Sequence, residues 1–356
     1  RTVSHNNNKQ GPNGDESELF TTMSSSSSSS TTRTIVITGG LGNLGTKLCN
    51  HLLDQNNNDG NKKYEVVLLE HPAFIKDKRP HSGAILVPCD LGNPSACNKA
   101  LLQILQDVDV LVHFSAVNPY PNATWSESAQ SMDHTFTIFQ LAVLCKVRRV
   151  ILASSNHVMG GYKDDSNYGP SSIHPDSDPK VGTIPLDRNQ IATGGDAIAY
   201  GTAKLAGERL ARTLGQLYSD TTTFVVLRIG WCQPGENKPS TLSAAGSPPE
   251  FLTTKEEVAA EVVVDASSDE IWFKQMWLSN RDFLNYFEAA IDLTVPTTDN
   301  NKDDENASVH RHVQKGFVLL NAMSRNHNAK WNLEKTEQWL GVVSKDDSLA
   351  EDHQNS

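Results

Sequence analysis

From Thr34 to Ile229, short apolar runs alternate with amphipathic stretches. "RTIVITGG" is a β-branched run that predicts a first strand, and "NLGTKLCNHLLD" after it repeats its apolar positions at helical spacing. "YEVVLLE" and "GAILVPCD" predict a second and a third strand, with a helix over Pro94–Gln106. "VDVLVHFSA" predicts a fourth strand, and a long helix follows over Trp125–Lys146. "RRVILASS" reads as a fifth strand, Asp196–Leu217 as another long helix and "TTFVVLRIG" as a sixth strand. The strands are near-continuous apolar runs, as expected when helices cover both faces of a sheet. This alternation predicts an α/β fold, a doubly wound parallel sheet over 33–229. Beyond it, 230–344 reads as a small C-terminal lobe with a return strand near 317–321.

Polar, low-complexity segments dilute the pattern. Residues 1–32 include the seven serines Ser24–Ser30, and Asp54–Lys63 reads "DQNNNDGNKK". Such compositions bury too little apolar surface to offset the entropy of ordering. The same reasoning predicts disorder at 1–32, over 297–308 and at 345–356, and loop insertions are expected at about 236–268 and 297–310. Net charge is −11, from 31 basic and 42 acidic side chains, with no basic stripe. Nucleic acid and anionic membrane are therefore not expected partners. No run approaches the length of a membrane-spanning helix. The five cysteines are scattered, without a CxxC pair, which argues against a metal site and suits a reducing compartment. The expected location is the cytoplasm; a start at Arg1 is also compatible with a removed organelle leader.

Two motifs carry chemistry. "TGGLGNLG" lies between the first strand and the first helix and places Gly39, Gly42 and Gly45 in GxxGxxG spacing. Glycines there permit a tight turn and close approach of backbone to a pyrophosphate, which the helix N-terminus attracts. Glu70 ends the second strand, where a carboxylate accepts ribose hydroxyls and repels a 2′-phosphate, so the cofactor is expected to be NAD. The second motif is "AYGTAK", which sets Tyr200 and Lys204 on one helix face. An ammonium beside a phenol favours the phenolate and fits it for proton transfer. "SS" at the end of the fifth strand adds a hydroxyl for the same substrate oxygen.

TGGxGxxG, an acid after the second strand, Asp90-Leu91 after the third, Ser-Ser after the fifth and YxxxK together resemble the extended short-chain dehydrogenase/reductase superfamily, with its Rossmann sheet. The match runs from Thr34 to Ile229. The resemblance implies Ser155, Tyr200 and Lys204 as the catalytic set. It implies NAD held by Gly39, Gly42, Asn43, Leu44, Gly45, Glu70, Asp90, Leu91, Ser115, Tyr200, Lys204 and Ile229. It also implies a homodimer through the two long helices, and no metal.

Within the superfamily, "SSNHVMGGY", "RIGWCQPG", "QMWLSNRDF" and the "KWNLEKTEQWLG" ending look most like the uronate dehydrogenase branch. That branch oxidises the anomeric carbon of a free hexuronic acid to a lactone. Carried over, Ser155 and Asn156 would meet substrate hydroxyls, Asn118 would be a substrate contact, and Trp231 would line the substrate side. His157 is expected to support the turn. Dehydratases carry an Asp-Glu acid/base pair where this chain has Asn156 and His157, so elimination chemistry is not expected. Two departures stand out. Trp231 replaces the branch's serine, and its carboxylate-binding arginine has no counterpart before "WLS", where Lys274 is the nearest cation. Asp133 stands where relatives often carry an asparagine. A sugar or sugar acid is the expected substrate, and a sugar-nucleotide epimerase with bound NAD, or a non-catalytic NAD(P) sensor, the alternatives.

Overall fold

The computed structural model describes residues 32–58, 63–76, 78–120, 122–182, 192, 197–242, 266–293 and 316–350. The expected disordered segment over 1–31, the insertion at 297–310, residues 243–265 of the other insertion and residues 351–356 lie outside the described residues.

Seven strands form one parallel sheet in the order β3-β2-β1-β4-β5-β6-β7. They are β1 (Arg33–Thr38), β2 (Tyr64–Glu70), β3 (Ile85–Pro88), β4 (Val110–His113), β5 (Arg149–Ser155), β6 (Thr223–Ile229) and β7 (Phe317–Ala322). The six strands legible in the first two thirds of the chain are all present, and the return strand is β7. β5 and β7 are buried along their whole length, which explains why they read as unbroken apolar runs. Among the described residues the α-helices are α1 (Asn43–Asn58), α2 (Pro72–Ile75), α3 (Pro94–Ile104), α4 (Trp125–Leu144), α5 (Ile198–Leu217), α6 (Ala266–Gln275), α7 (Asn280–Asp292) and α8 (Glu334–Leu340). α4 starts at a capping box, in which Thr124 and Glu127 exchange side-chain and backbone hydrogen bonds.

The core has two layers and a satellite. Ile35, Ile37, Val112 and Ile151 face α1 and α7, while Val36, Leu111, Val150 and Val226 face α3, α4 and α5. A third, aromatic cluster gathers Trp231, Trp272, Phe273, Trp277 and Trp331 with Val158, Tyr162 and Ile173, so the region expected as a C-terminal lobe packs onto the segment after β5. Among the described residues no helix is long and apolar enough to cross a membrane.

Three segments differ from expectation. The Asn-rich stretch is helical as far as Asn58, because Asn56 Oδ1 accepts from the N–H groups of Lys63 (2.8 Å) and Tyr64 (2.9 Å) and so starts β2. Residues 236–242, read as part of an insertion, fold onto the lobe: Asn237 is buried and its Nδ2 donates to Leu278 O at 2.7 Å. Residues 345–350, read as tail, are also folded. Asp282, fully buried at the start of α7, accepts from Ser324 Oγ (2.7 Å), Ser344 Oγ (2.7 Å), Lys345 N (3.0 Å) and Asp346 N (3.2 Å). Ser348 is buried as well and donates to Lys274 O. A low-complexity composition does not register a partner 60 residues away, and here the partner supplies the order.

Candidate active site

In a doubly wound sheet, ligands bind beyond the carboxyl ends of the strands where the order reverses, here between β1 and β4. A cleft of about 300 Å³ lies at that point. Its floor and walls include Gly39, Gly42, Asn43, Leu44, Gly45, Glu70 and Ser115, as well as Ser155, Asn156, Tyr200, Lys204, Ile229 and Trp231.

The glycine loop is shaped as a dinucleotide cradle. Gly39 has φ +66°, and a Cβ there would sit 3.0 Å from Ser115 N. A Cβ on Gly45 would fall 2.4 Å from Gly39 O, so α1 could not close against the turn. Glu70 sits beneath the loop with Oε2 accepting from Leu41 N and Oε1 from His71 N, both at 2.9 Å. These bonds fix a carboxylate at the edge of the cleft. The residues present therefore fit NAD: an N–H-rich turn for the pyrophosphate and an acid for the ribose.

β5 delivers the polar run. Ser154 borders the cleft too, but its Oγ is engaged, donating to Glu208 Oε1 at 2.6 Å. Ser155 faces the cleft, and its Oγ accepts from His157 N at 3.1 Å, capping a 3₁₀ turn over Asn156–Tyr162. Asn156 donates from Nδ2 to Ile229 O at 3.3 Å, while its enclosed Oδ1 has no hydrogen-bond partner among the described residues. α5 presents Tyr200 and Lys204 one turn apart. Lys204 Nζ donates to Ala153 O at 3.0 Å and lies 5.7 Å from the centre of the Tyr200 ring.

The electrostatics refine the sequence argument. Burial pushes the Tyr200 phenol up to about 12, and a hydrogen bond with Ser155 draws it back down. Burial lowers Lys204 to about 8. In the ligand-free cleft, desolvation thus outweighs the effect of the ammonium on the phenol, and Ser155 is the group favouring the phenolate. Burial also lowers His157 to about 4, so its imidazole is neutral at pH 7.

Other predicted residues fall elsewhere. Lys274 is not in the cleft lining; α6 turns Trp272 and Phe273 inward, and Lys274 O is tied to Trp277 N and Ser348 Oγ. Asn118 is spent on its own loop, accepting from Tyr120 N and donating to Glu127, while Val117, Pro119 and Tyr120 line the cleft. Asp90 accepts from Gly92 N and faces His71, and Leu91 is core; neither lines the cleft. Asp133 is exposed. The face of α4 that meets the strand ends carries Ser131, His134 and Thr135, which bond Val117 N, Ser115 Oγ and His113 Nε2.

The sequence reading missed several residues of the site. His113, buried on β4, bridges Thr38 Oγ1 (2.7 Å) and Thr135 Oγ1 (3.0 Å) and so ties the glycine turn to α4. "VHFSA" is the signal that could have found it. Phe74, Lys78 and Tyr120 also line the cleft, and no motif marks them; Cys232 and Gln233, which line it as well, lie in "RIGWCQPG" but were given no role there. His157, expected only to support the turn, does that through its N–H while its ring lines the cleft between Tyr200 and Trp231.

The comparisons with known proteins bear on the family and the fold. Residues 35–230 match the model of the "NAD dependent epimerase/dehydratase family". An L-arabinose 1-dehydrogenase (NAD(P)+) of Haloferax volcanii is 24% identical over 317 residues, covering 88% of this chain and 97% of that protein. Among solved structures, a mutated uronate dehydrogenase superposes with a TM-score of 0.57 at 20% identity, covering 91% of this chain and 86% of that one. A UDP-galactose 4-epimerase reaches 0.54 at 19% identity, covering 88% and 94%. At these identities the structural likenesses speak for the fold alone.

Proposed function

The chain belongs to the NAD dependent epimerase/dehydratase family, and from that premise we propose that it oxidises a free sugar or sugar acid at its anomeric hydroxyl to a lactone. The observation that carries this reading is the convergence of Ser155, Tyr200 and Lys204 on one end of a cleft whose other end is a dinucleotide cradle. The arabinose dehydrogenase, which aligns over nearly its whole length, supports oxidation of a free sugar.

In this reading Tyr200 takes the proton of the substrate hydroxyl. Ser155 hydrogen-bonds the same oxygen and steadies its developing charge. Lys204 holds positive charge beside the phenol and anchors the base through Ala153 O. Bound NAD supplies the two-electron acceptor for the hydrogen on the same carbon. Gly42, Asn43, Leu44 and Gly45 would hold its pyrophosphate, and Glu70 its adenosine ribose. Asn156 Oδ1, enclosed and unpartnered among the described residues, is suited to accept a sugar hydroxyl. Pairing of two copies through α4 and α5 belongs to the same proposal, supported by Leu144 and Leu217, exposed at the ends of those helices.

The test is a panel of free sugars and uronic acids with NAD, followed by the near-ultraviolet absorbance of reduced nicotinamide. Reduction with at least one neutral or acidic sugar is expected. Turnover of a UDP-sugar without net reduction would replace this reading with an epimerase.

A further inference from the structure

The wall of the cleft that carries Trp231, Cys232, Gln233 and Pro234 has little regular structure of its own. It is held from two helices. On α1, Asn43 Nδ2 donates to Cys232 O at 3.0 Å. One turn on, and so on the same face, Lys47 Nζ donates to Gln233 O at 2.5 Å and Asn280 Oδ1 at 2.6 Å, with Cys232 Sγ at 3.7 Å. An ammonium has three protons, and these three acceptors use them. From α7, Asn280 Nδ2 reaches Gly235 O (3.0 Å) and Glu236 O (3.2 Å). Lys47 itself does not line the cleft.

We propose that Lys47 is a positioning residue that fastens the substrate-side wall of the cleft to the helix whose N-terminus forms the cofactor cradle. Its partners lie 185, 186 and 233 residues away in sequence, so one side chain joins the first helix, the loop after the sixth strand and the C-terminal lobe. Without it, Gln233 O loses a charge-assisted bond to α1, and the Asn43–Cys232 bond is left holding the wall to that helix. Lys47 then governs how well substrate is held, and not the proton transfer itself. The substrate part of this proposal rests on the dehydrogenase reading; the geometric part does not.

The test separates the two. Cys232 is alkylated with iodoacetamide in the cofactor-free full chain, and peptide mass spectrometry follows that cysteine alone. Loss of a hydrogen bond to a charged group corresponds to about tenfold in an equilibrium. Lys47→Met is therefore expected to speed alkylation of Cys232 by about tenfold, and Lys47→Arg, which keeps the donors, to restore a near wild-type rate. Burial pushes the Cys232 thiol up to about 11 and the Lys47 charge only partly offsets this, so removing that charge would by itself slow alkylation; acceleration reports the opened wall. NAD affinity by calorimetric titration is expected to stay within about threefold, since the glycine cradle is untouched. With a sugar that the panel turns over, Lys47→Met raises KM by about tenfold and leaves kcat within about threefold. An unchanged alkylation rate in Lys47→Met overturns the proposal whatever the panel shows. If Lys47→Met does not fold, Asn280→Ala removes the anchor from the other side, and wild-type alkylation in that variant overturns it equally. An empty sugar panel with accelerated alkylation would sink the dehydrogenase reading and leave the clamp standing.

Discussion

Tyr200, Lys204 and Glu208 occupy successive turns on one face of α5, yet the top of that stripe and its bottom are built on opposite principles. At the bottom, Glu208 and Arg228 are 3% and 1% exposed. Oε1 of the acid accepts from Ser154 Oγ (2.6 Å) and Arg228 Nε (2.9 Å), and Oε2 accepts from Arg228 Nη2 (2.7 Å). The remaining arginine nitrogen donates to Pro175 O at 3.0 Å. Two charges are buried, and each guanidinium nitrogen and each carboxylate oxygen has a hydrogen-bond partner, which is the condition under which a buried pair is tolerated. At the top, Lys204 has one acceptor among the described residues, Ala153 O, and both Lys204 and Tyr200 are shifted strongly by desolvation. A saturated pair resists change. An undersupplied pair in a cleft is the one that the proposed mechanism uses to move a proton. Adjacent serines divide in the same way: Ser154 serves the saturated end and Ser155 the reactive one.

Breaking the lower pair should have the largest effect on the protein as a whole. Arg228→Met strands a buried carboxylate and is expected to cost about 3–5 kcal/mol in urea unfolding, whereas replacing both partners by leucine should recover much of that. A single variant as stable as wild type would erase the distinction. Tyr200→Phe should do the reverse, reducing kcat by about 10²–10⁴ while leaving the unfolding midpoint and NAD affinity unchanged. Surviving activity would mean the wrong residue is named as base.

A smaller effect sharpens the upper half of the comparison. Lys204, lowered to about 8, loses its charge as the pH rises through that value. Its support for the Tyr200 anion goes with it, so kcat/KM is expected to fall above about pH 8. Lys204→Arg, which stays charged, should remove that bend. The smallest effect lies outside both halves. Glu288 is drawn from 4.5 down to about 2, chiefly by its hydrogen bond with His51. Its folded value is below its unfolded one. Its contribution to stability is therefore complete above about pH 4.5 and is lost as the pH falls toward 2. Glu288→Gln should flatten that acid limb of the stability curve and leave the kinetics alone.

What the sequence made legible follows from how far each signal travels along the chain. The sheet could be read because each buried parallel strand is its own apolar run. The cradle and the Tyr200/Lys204 pair could be read because their parts lie within a few residues of each other. Lys274 shows the limit: proximity in sequence to "WLS" suggested a cleft residue, but the helix turns Trp272 and Phe273 inward and leaves the lysine aside. Asp133 shows it again, since the choice among Ser131, Asp133, His134 and Thr135 depends on the rotation of α4, which composition does not encode. Lys47, a plain helical lysine in sequence, acquires its role only from partners nearly 200 residues away.

The closure of the lobe around Asp282 bears on how the chain is made. By Ile229 six of the seven strands exist, and the cofactor half can assemble as it leaves the ribosome. Asp282 must then wait 62 residues for Ser344, which at ~5–20 residues per second is roughly 3–12 s of synthesis. During that interval the Asp282 carboxylate lacks its Ser344, Lys345 and Asp346 donors, and the aromatic residues around Trp277 lack Trp331 to pack against. That half-finished lobe, more than the sheet, is the form of this protein that a chaperone or a protease would meet.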